Sequence, residues 1–188
     1  MFERDYNFKG RHANIVTQLT IEIDSDTKFK LFERNIDVLI IAPIVGFLYG
    51  RMAKRDDEGP ATDNVKKINF DQMNRESKTL NFNFELIMLL YNKEKLSIED
   101  RLDNAFRYSA GTPEKEECYK IYEQYVLGGI DVLYEKLLKD ASSVDDYINN
   151  IYNFISEYDE RYNKNISEEE ILDLCMNSKK WHDFLVQF

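Results

Sequence analysis

The sequence predicts a mainly α fold: an irregular bundle of about six or seven helices with a short N-terminal strand or extended arm. Apolar residues recur at spacings of three and four along most of the chain, as on the buried faces of helices. Only seven Gly and three Pro occur in 188 residues, too few for the many turns of a sandwich or barrel. Since 43% of the residues are hydrophobic, one core can form, and we expect a single helical domain over residues 1–188.

The N-terminal residues 1–24 are interpreted as an extended arm or a short strand. Apolar side chains between Ile15 and Ile23 partly alternate with polar ones, which is typical of extended backbone. No second strand is evident to pair with it, so the arm would lie against the helices or add to the sheet edge of a partner. A helix cap at Ser25 or Asp26 would begin the first helix after it.

The most apolar stretch, NIDVLIIAPIVGFLYGRMAKR, runs from Asn35 to Arg55 and predicts a core helix. Its uninterrupted apolar part, from Val38 to Tyr49, has 12 residues. A helix that crosses a bilayer needs about 20 apolar residues, so we expect no membrane span. Pro43 lacks a backbone N–H and predicts a kink or a restart of the helix close to it.

Four glycines predict places where two helices approach closely. A helix surface without side chains lets another backbone come near, and the sequence pairs glycines in two such segments. A phosphate-binding loop would need more glycines and a Lys, Ser or Thr placed to contact phosphate, which LGGIDVLYEK lacks. The predicted helix-packing notch consists of Gly46, Gly50, Gly128 and Gly129.

Two acidic residues, Asp37 and Glu85, lie in the two most apolar helical segments and are candidates for buried carboxylates. Burying either without a partner would cost several kcal/mol. Each could lie at a helix edge or pair with an arginine such as Arg34, Arg51 or Arg107. The other interpretation is a paired-carboxylate active site, since perturbed carboxylates are found in both settings.

The remaining chain reads as helices separated by short polar loops. The segment RDDEGPATDN combines charge, Gly and Pro, and predicts an exposed loop over residues 55–66. A long helix is expected from Phe70 to Asn92. Later helices are predicted to begin after the caps Ser97, Thr112, Ser143 and Ser167.

Motifs of known chemistry are absent from the sequence. His12 and His182 stand apart from each other and from Cys118 and Cys175, so neither a zinc site nor a Cys–His nucleophile is indicated. There is no nucleophile elbow, phosphate-binding loop or kinase signature. We expect no metal and no cofactor, and a non-enzyme is favoured, although an active site of scattered residues would leave no motif.

The charge is unevenly distributed along the chain. The formal net charge is −10, yet residues 1–55 hold nine Lys and Arg against seven Asp and Glu. The acidic remainder opposes binding to nucleic acid or anionic lipid, unless a local basic patch overrides it. The residues of such a patch, candidates for partner or nucleic-acid contact, are Arg51, Lys54, Arg55, Lys66 and Lys67.

These observations favour a non-catalytic helical accessory or adaptor subunit that binds a larger protein. One alternative is an acidic DNA mimic that inhibits a DNA-binding enzyme, and another is a DNA-binding regulator that uses the Arg51–Lys67 patch. A homodimer is a further option, and nucleic acid as a partner stays open. Lys-, Asn-, Ile- and Tyr-rich composition and the lack of a secretory signal suggest a cytoplasmic bacterial protein, for which a nucleic-acid-processing or phage-defence assembly is the expected setting.

Overall fold

The computed structural model describes residues 4–55 and 64–162. Within these ranges it contains seven α-helices and one two-stranded antiparallel sheet, which confirms the mainly helical fold class. The chain divides into two compact units, Met1–Asn150 and Ile151–Phe188. The single domain over residues 1–188 stays a prediction, and the helix expected after Ser167 lies outside the described residues.

The predicted short N-terminal strand is confirmed, although a helix follows it where further extended backbone was expected. Strand β1 is Tyr6–Lys9 and helix α1 is Gly10–Thr20. The alternating pattern was therefore misleading, because Ile15 and Leu19, four residues apart, also fit one buried helical face. The pairing partner that the sequence did not reveal is β2, Val65–Ile68, which lies antiparallel to β1.

The helix expected to start at Ser25 or Asp26 begins later. Residues between α1 and α2 form an irregular segment, in which the Asp24 carboxylate accepts a hydrogen bond from the Thr27 backbone N–H at 3.0 Å. Such local side-chain bonds compete with helix formation. Helix α2 is Asn35–Leu48, and it continues through Pro43 without the predicted restart.

The later helices follow the predicted caps more closely. Ser97, Thr112 and Ser143 each accept a hydrogen bond from a backbone N–H three residues ahead, so these three starts are confirmed. The expected long helix from Phe70 is instead divided at Glu76. The elements are α3 Phe70–Arg75, α4 Ser77–Leu90, α5 Ile98–Leu102 with a π-helical turn Asp103–Arg107, α6 Pro113–Leu133 with a π-helical turn Tyr134–Leu138, and α7 Val144–Tyr162.

Helices α2 and α6 pack with their backbones in direct contact through glycines. A Cβ atom at Gly129 would overlap the carbonyl oxygen of Ala42, and one at Gly46 would overlap the carbonyl oxygen of Tyr125. Since these obstacles are backbone atoms, a side chain at either position would require one helix to move. The small residues therefore set the distance between the two central helices.

Two other glycines have separate roles. A Cβ at Gly128 would overlap the backbone of Arg51, so this glycine fits α6 against the segment that leaves α2. Gly50 does not belong to the notch, because nothing lies within 4 Å of its Cβ position. Its φ of +60° instead lets the chain turn away at the end of α2, which corrects the predicted role.

Candidate functional site

The predicted basic patch is largely divided among separate ion pairs. Lys54 is exposed, and Lys66 lies half-buried on β2. The other three cations each have a carboxylate partner: Arg51 with Glu135 at 2.8 Å, Arg55 with Glu123 at 3.5 Å, and Lys67 with Asp5 at 2.5 Å. These carboxylates reduce the positive potential that would attract a phosphate backbone.

The two candidate buried carboxylates are both half-buried rather than buried. Asp37 lies in the first turn of α2, where it accepts hydrogen bonds from the Arg34 backbone N–H at 2.9 Å and from its guanidinium at 2.6 Å. Glu85 lies on α4, and its charge acts on Lys115. Within the described ranges no hydrogen bond or ion pair joins Asp37 to Glu85, so the structure does not form a carboxylate pair from them.

A polar cleft of about 450 Å³ lies between β1 and α6. One wall is the N-terminal segment that contains β1, and the other is a single face of α6, from which side chains project at spacings of three and four. Arg55 reaches the cleft from the segment that follows α2. The lining residues are Arg4, Asp5, Tyr6, Asn7, Lys9, Arg55, Glu116, Tyr119, Lys120 and Glu123.

The outer edge of β1 faces this cleft. Gly10 donates its backbone N–H to the Asn64 carbonyl at 3.0 Å, which continues the register of the β1–β2 ladder. Opposed residues in an antiparallel ladder alternate between pairs that exchange both hydrogen bonds and pairs whose polar groups point away. Phe8 therefore bonds to β2, whereas Asn7 turns its backbone N–H and C=O away from β2.

Two side-chain contacts support this assignment. The Arg55 guanidinium donates to the outward carbonyl of Asn7 at 2.5 Å. On the opposite edge of the sheet, the Asn35 side chain donates to the carbonyl of Lys67 at 3.4 Å. Asn7 and Lys67 face each other in the register, and their carbonyls point to opposite sides. The edge of β2 thus abuts α2, while that of β1 borders the cleft.

Tyr6 forms the buried floor of the cleft. Its side chain is 6% exposed, and its hydroxyl donates to Glu123 Oε1 at 3.2 Å. Burial and the negative charge of Glu123 raise the pKa of the Tyr6 phenol well above its ordinary value. The phenol therefore stays protonated at neutral pH and acts as a hydrogen-bond donor that orients the Glu123 carboxylate.

A second cavity, of about 420 Å³, lies among α1, the segment after α2, and the end of α6. Its charged lining comes from separate elements, and Arg11 bonds to Asp131 at 2.8 Å while Arg51 bonds to Glu135. The π-helical turn contributes Tyr134 and Glu135. Its full lining is Arg11, Ile15, Arg51, Asp131, Tyr134, Glu135 and Lys139.

Behind this second cavity lies a completely buried histidine, His12. Its Nε2 is 3.4 Å from Asp131 Oδ1, and neither ring nitrogen has a well-formed hydrogen bond to the described part of the chain. Burial raises the pKa of Asp131, but the neighbouring His12 and Arg11 outweigh burial and hold it below its ordinary value. His12 does not line the cavity. We therefore assign it the role of stabilising the ionised carboxylate of Asp131.

Another buried titratable residue, Lys115, is accounted for by local structure. Its amine donates to the Ala105 carbonyl at 3.3 Å and lies 4.2 Å from the centre of the Phe84 ring. Burial lowers the pKa of this amine. These contacts join the start of α6 to the first π-helical turn, and Lys115 does not line either cavity described above.

Other classes of site find no support among residues 4–55 and 64–162. No group of three His, Cys, Asp or Glu side chains in these ranges is placed to hold a metal ion. No helix there has both the length and the apolar character needed to cross a membrane. Comparison with protein-family models, curated proteins and solved structures finds no match to this chain.

The residues at the centre of the cleft were not predicted from the sequence. Tyr6, Asn7 and Glu123 carried no motif, and Glu123 was one acid among many. A signal was present in YNFK, where apolar and polar side chains alternate. Of the predicted contact residues, the structure brings Arg55 into the cleft and places Arg51 at the second cavity.

Proposed function

We propose that this chain is an accessory subunit that binds a larger protein through the cleft between β1 and α6. The observation that carries the proposal is the outer edge of β1, which no strand of the described chain covers and which directs the backbone groups of Asn7 towards a cleft of about 450 Å³. Edge strands are templates for pairing with another chain. A binding role uses this feature directly.

The side chains of the cleft favour binding over chemistry. Tyr6, Glu123 and Arg55 are held by one another, and the Tyr6 phenol is a weak acid in this setting. Such a network gives the cleft a fixed shape, which lowers the entropy cost of binding a partner. We therefore extend the proposal to a non-catalytic role.

The expected setting of the partner rests on composition alone. We propose a cytoplasmic, bacterial assembly concerned with nucleic-acid processing or phage defence. This setting is suggested by the richness in Lys, Asn, Ile and Tyr, which is typical of proteins from AT-rich genomes. The alternatives of a DNA mimic and a DNA-binding regulator gain no specific support, since Arg51, Arg55 and Lys67 of the predicted basic patch each pair with a carboxylate.

Site-specific cross-linking in cells of the native host tests this proposal. A photoreactive amino acid replaces Lys120, which is exposed and lines the cleft, and in a matched control it replaces Lys78, which is exposed on α4. We expect one larger protein to be cross-linked from position 120 and not from position 78, and an excess of the unlabelled chain to suppress the product. Equal products from both positions, or none from either, would refute the proposal.

A further inference from the structure

The geometry of the cleft points to strand addition as the mode of binding, and this inference rests on the proposed function. We infer that an extended acidic segment of the partner pairs with the outer edge of β1, between that strand and α6. In this mode main-chain hydrogen bonds provide affinity, and alternate side chains provide specificity.

At Asn7 the backbone of β1 offers a pairing position to the cleft. Asn7 directs both its N–H and its C=O outward, whereas Phe8 on the next position bonds to β2. A paired strand lies about 4.8 Å from its neighbour, so a peptide in the cleft would be positioned against the Asn7 backbone. The facing side chains of α6, Tyr119 and Lys120 among them, would contact the other side of the peptide.

Arg55 occupies the position that a peptide would take. Its guanidinium donates to the Asn7 carbonyl, which is the bond that a backbone N–H of an added strand would make. The same guanidinium lies 3.5 Å from Glu123, and its side chain is 32% exposed. Arg55 can therefore release Asn7 while it keeps an ionic partner, so its guanidinium acts as a placeholder on the edge strand.

The charges that line the cleft favour an acidic partner segment. Four cationic and three acidic residues line the cleft. Arg55 and Glu123 neutralise each other, and Asp5 is neutralised by Lys67, which lies outside the lining, so three cations remain against Glu116. Arg4 and Lys120 are exposed at the rim. Lys120 contacts Glu117 in a solvent-exposed pair, and such surface pairs are weak. An Asp or Glu in the added strand would meet these cations.

The probe is a displayed library of 12-residue peptides, selected on the full-length chain. Selected peptides are synthesised and titrated against the wild type, Asn7→Pro and Asn7→Ala. Proline removes the outward N–H of Asn7 without removing a β1–β2 hydrogen bond, while alanine keeps the backbone donor. We expect acidic peptides to be selected. Asn7→Pro should weaken their binding by at least about tenfold, and Asn7→Ala should weaken it by less than about threefold.

Hydrogen exchange on the wild type provides a measurement that does not depend on the folding of a variant. We expect the Asn7 amide to exchange faster than the Phe8 amide in the free protein and to become protected when peptide is added. Failure to select acidic extended peptides, or an Asn7 amide that stays unprotected in the complex, would overturn strand addition. If position 120 still cross-links a partner, the proposed function survives that result; if it does not, both fail.

Discussion

The guanidinium of Arg55 donates a hydrogen bond to the backbone carbonyl of Asn7, 48 residues earlier in the chain. It also lies 3.5 Å from the carboxylate of Glu123 and 5.9 Å from the centre of the Tyr6 ring. One side chain thus joins the segment after α2 to β1 and α6. Of the loop predicted over residues 55–66, Arg55 is therefore anchored, Val65 and Lys66 belong to β2, and residues 56–63 lie outside the described residues.

Replacing Tyr6 with phenylalanine should remove the phenol bond that orients Glu123 and leave the ring in the core. We expect Tyr6→Phe to lower the free energy of unfolding by about 1 kcal/mol, the usual net value of one hydrogen bond. Urea denaturation at pH 7 measures this loss in the free energy of unfolding. Tyr152→Phe is the control, because that side chain is 70% exposed and its loss of a hydroxyl should change stability by less than about 0.5 kcal/mol. Equal effects of the two variants would contradict the role of the Tyr6–Glu123 bond.

A methyl group at Gly129 should force α2 and α6 apart, since it would overlap the carbonyl of Ala42. Gly129→Ala is expected to destabilise the protein by about 3 kcal/mol or more, at the upper end of overpacking effects, because backbone atoms cannot move aside as side chains do. Thermal and urea unfolding measure the loss. The matched variant is Gly50→Asn, at a position with a φ of +60° that asparagine tolerates and with open space around it. A melting temperature for Gly129→Ala equal to that of the control would rule out the close approach.

The helical fold could be predicted because local chemistry determines it. The caps at Ser97, Thr112 and Ser143 form as their sequences indicate, since each needs only a hydroxyl and a backbone N–H three residues away. The N-terminal strand exists, but it lies at Tyr6–Lys9 and not in the alternating pattern between Ile15 and Ile23. Ile15 and Leu19 fit both a strand and a helix, and tertiary packing on one face of α1 decides between them.

The cleft could not be predicted because its parts are remote in sequence. Tyr6 and Glu123 are separated by 117 residues, and Arg55 reaches both only when β1, α6 and the end of α2 are assembled. The candidate patch failed to form one surface because cations that are near in sequence, such as Arg51 and Arg55, turn to different carboxylates. Sequence proximity gave no information on those long-range partners.

The carboxylate of Asp146, at the first turn of α7, should stay ionised at a lower pH than an ordinary aspartate. Asp146 accepts hydrogen bonds from the backbone N–H groups of Ser142 and Ser143, and bonds from the two serine residues lower its pKa to about 2. Because this pKa is depressed, the stabilising charge is present above the unfolded value, near 3.9, and is lost as the pH falls towards about 2. Carboxyl NMR titration of the full-length chain should give that midpoint for Asp146. Asp146→Asn should also speed amide exchange at residues 142 and 143, whereas Asp145→Asn should not; a midpoint near 3.9 would show that the cap is not formed.

Asp131 should contribute stability through its charge, because it faces both the exposed Arg11 and the buried His12. We expect Asp131→Asn to lower the free energy of unfolding by about 1–2 kcal/mol at pH 7. This is less than for a fully buried pair, since the Arg11 side chain is 57% exposed.

The stabilisation by Asp131 should depend on pH because its folded pKa is depressed. It is present at pH values above the unfolded pKa of about 3.9 and is lost as the pH falls through the lower folded pKa. Urea denaturation of wild type and variant should therefore show a difference at pH 7 that shrinks as the pH falls below the unfolded value. Glu94→Gln, at an exposed position, is the control and should change little at either pH. A loss for Asp131→Asn that is as large in acid as at neutral pH would assign the effect to packing and not to charge.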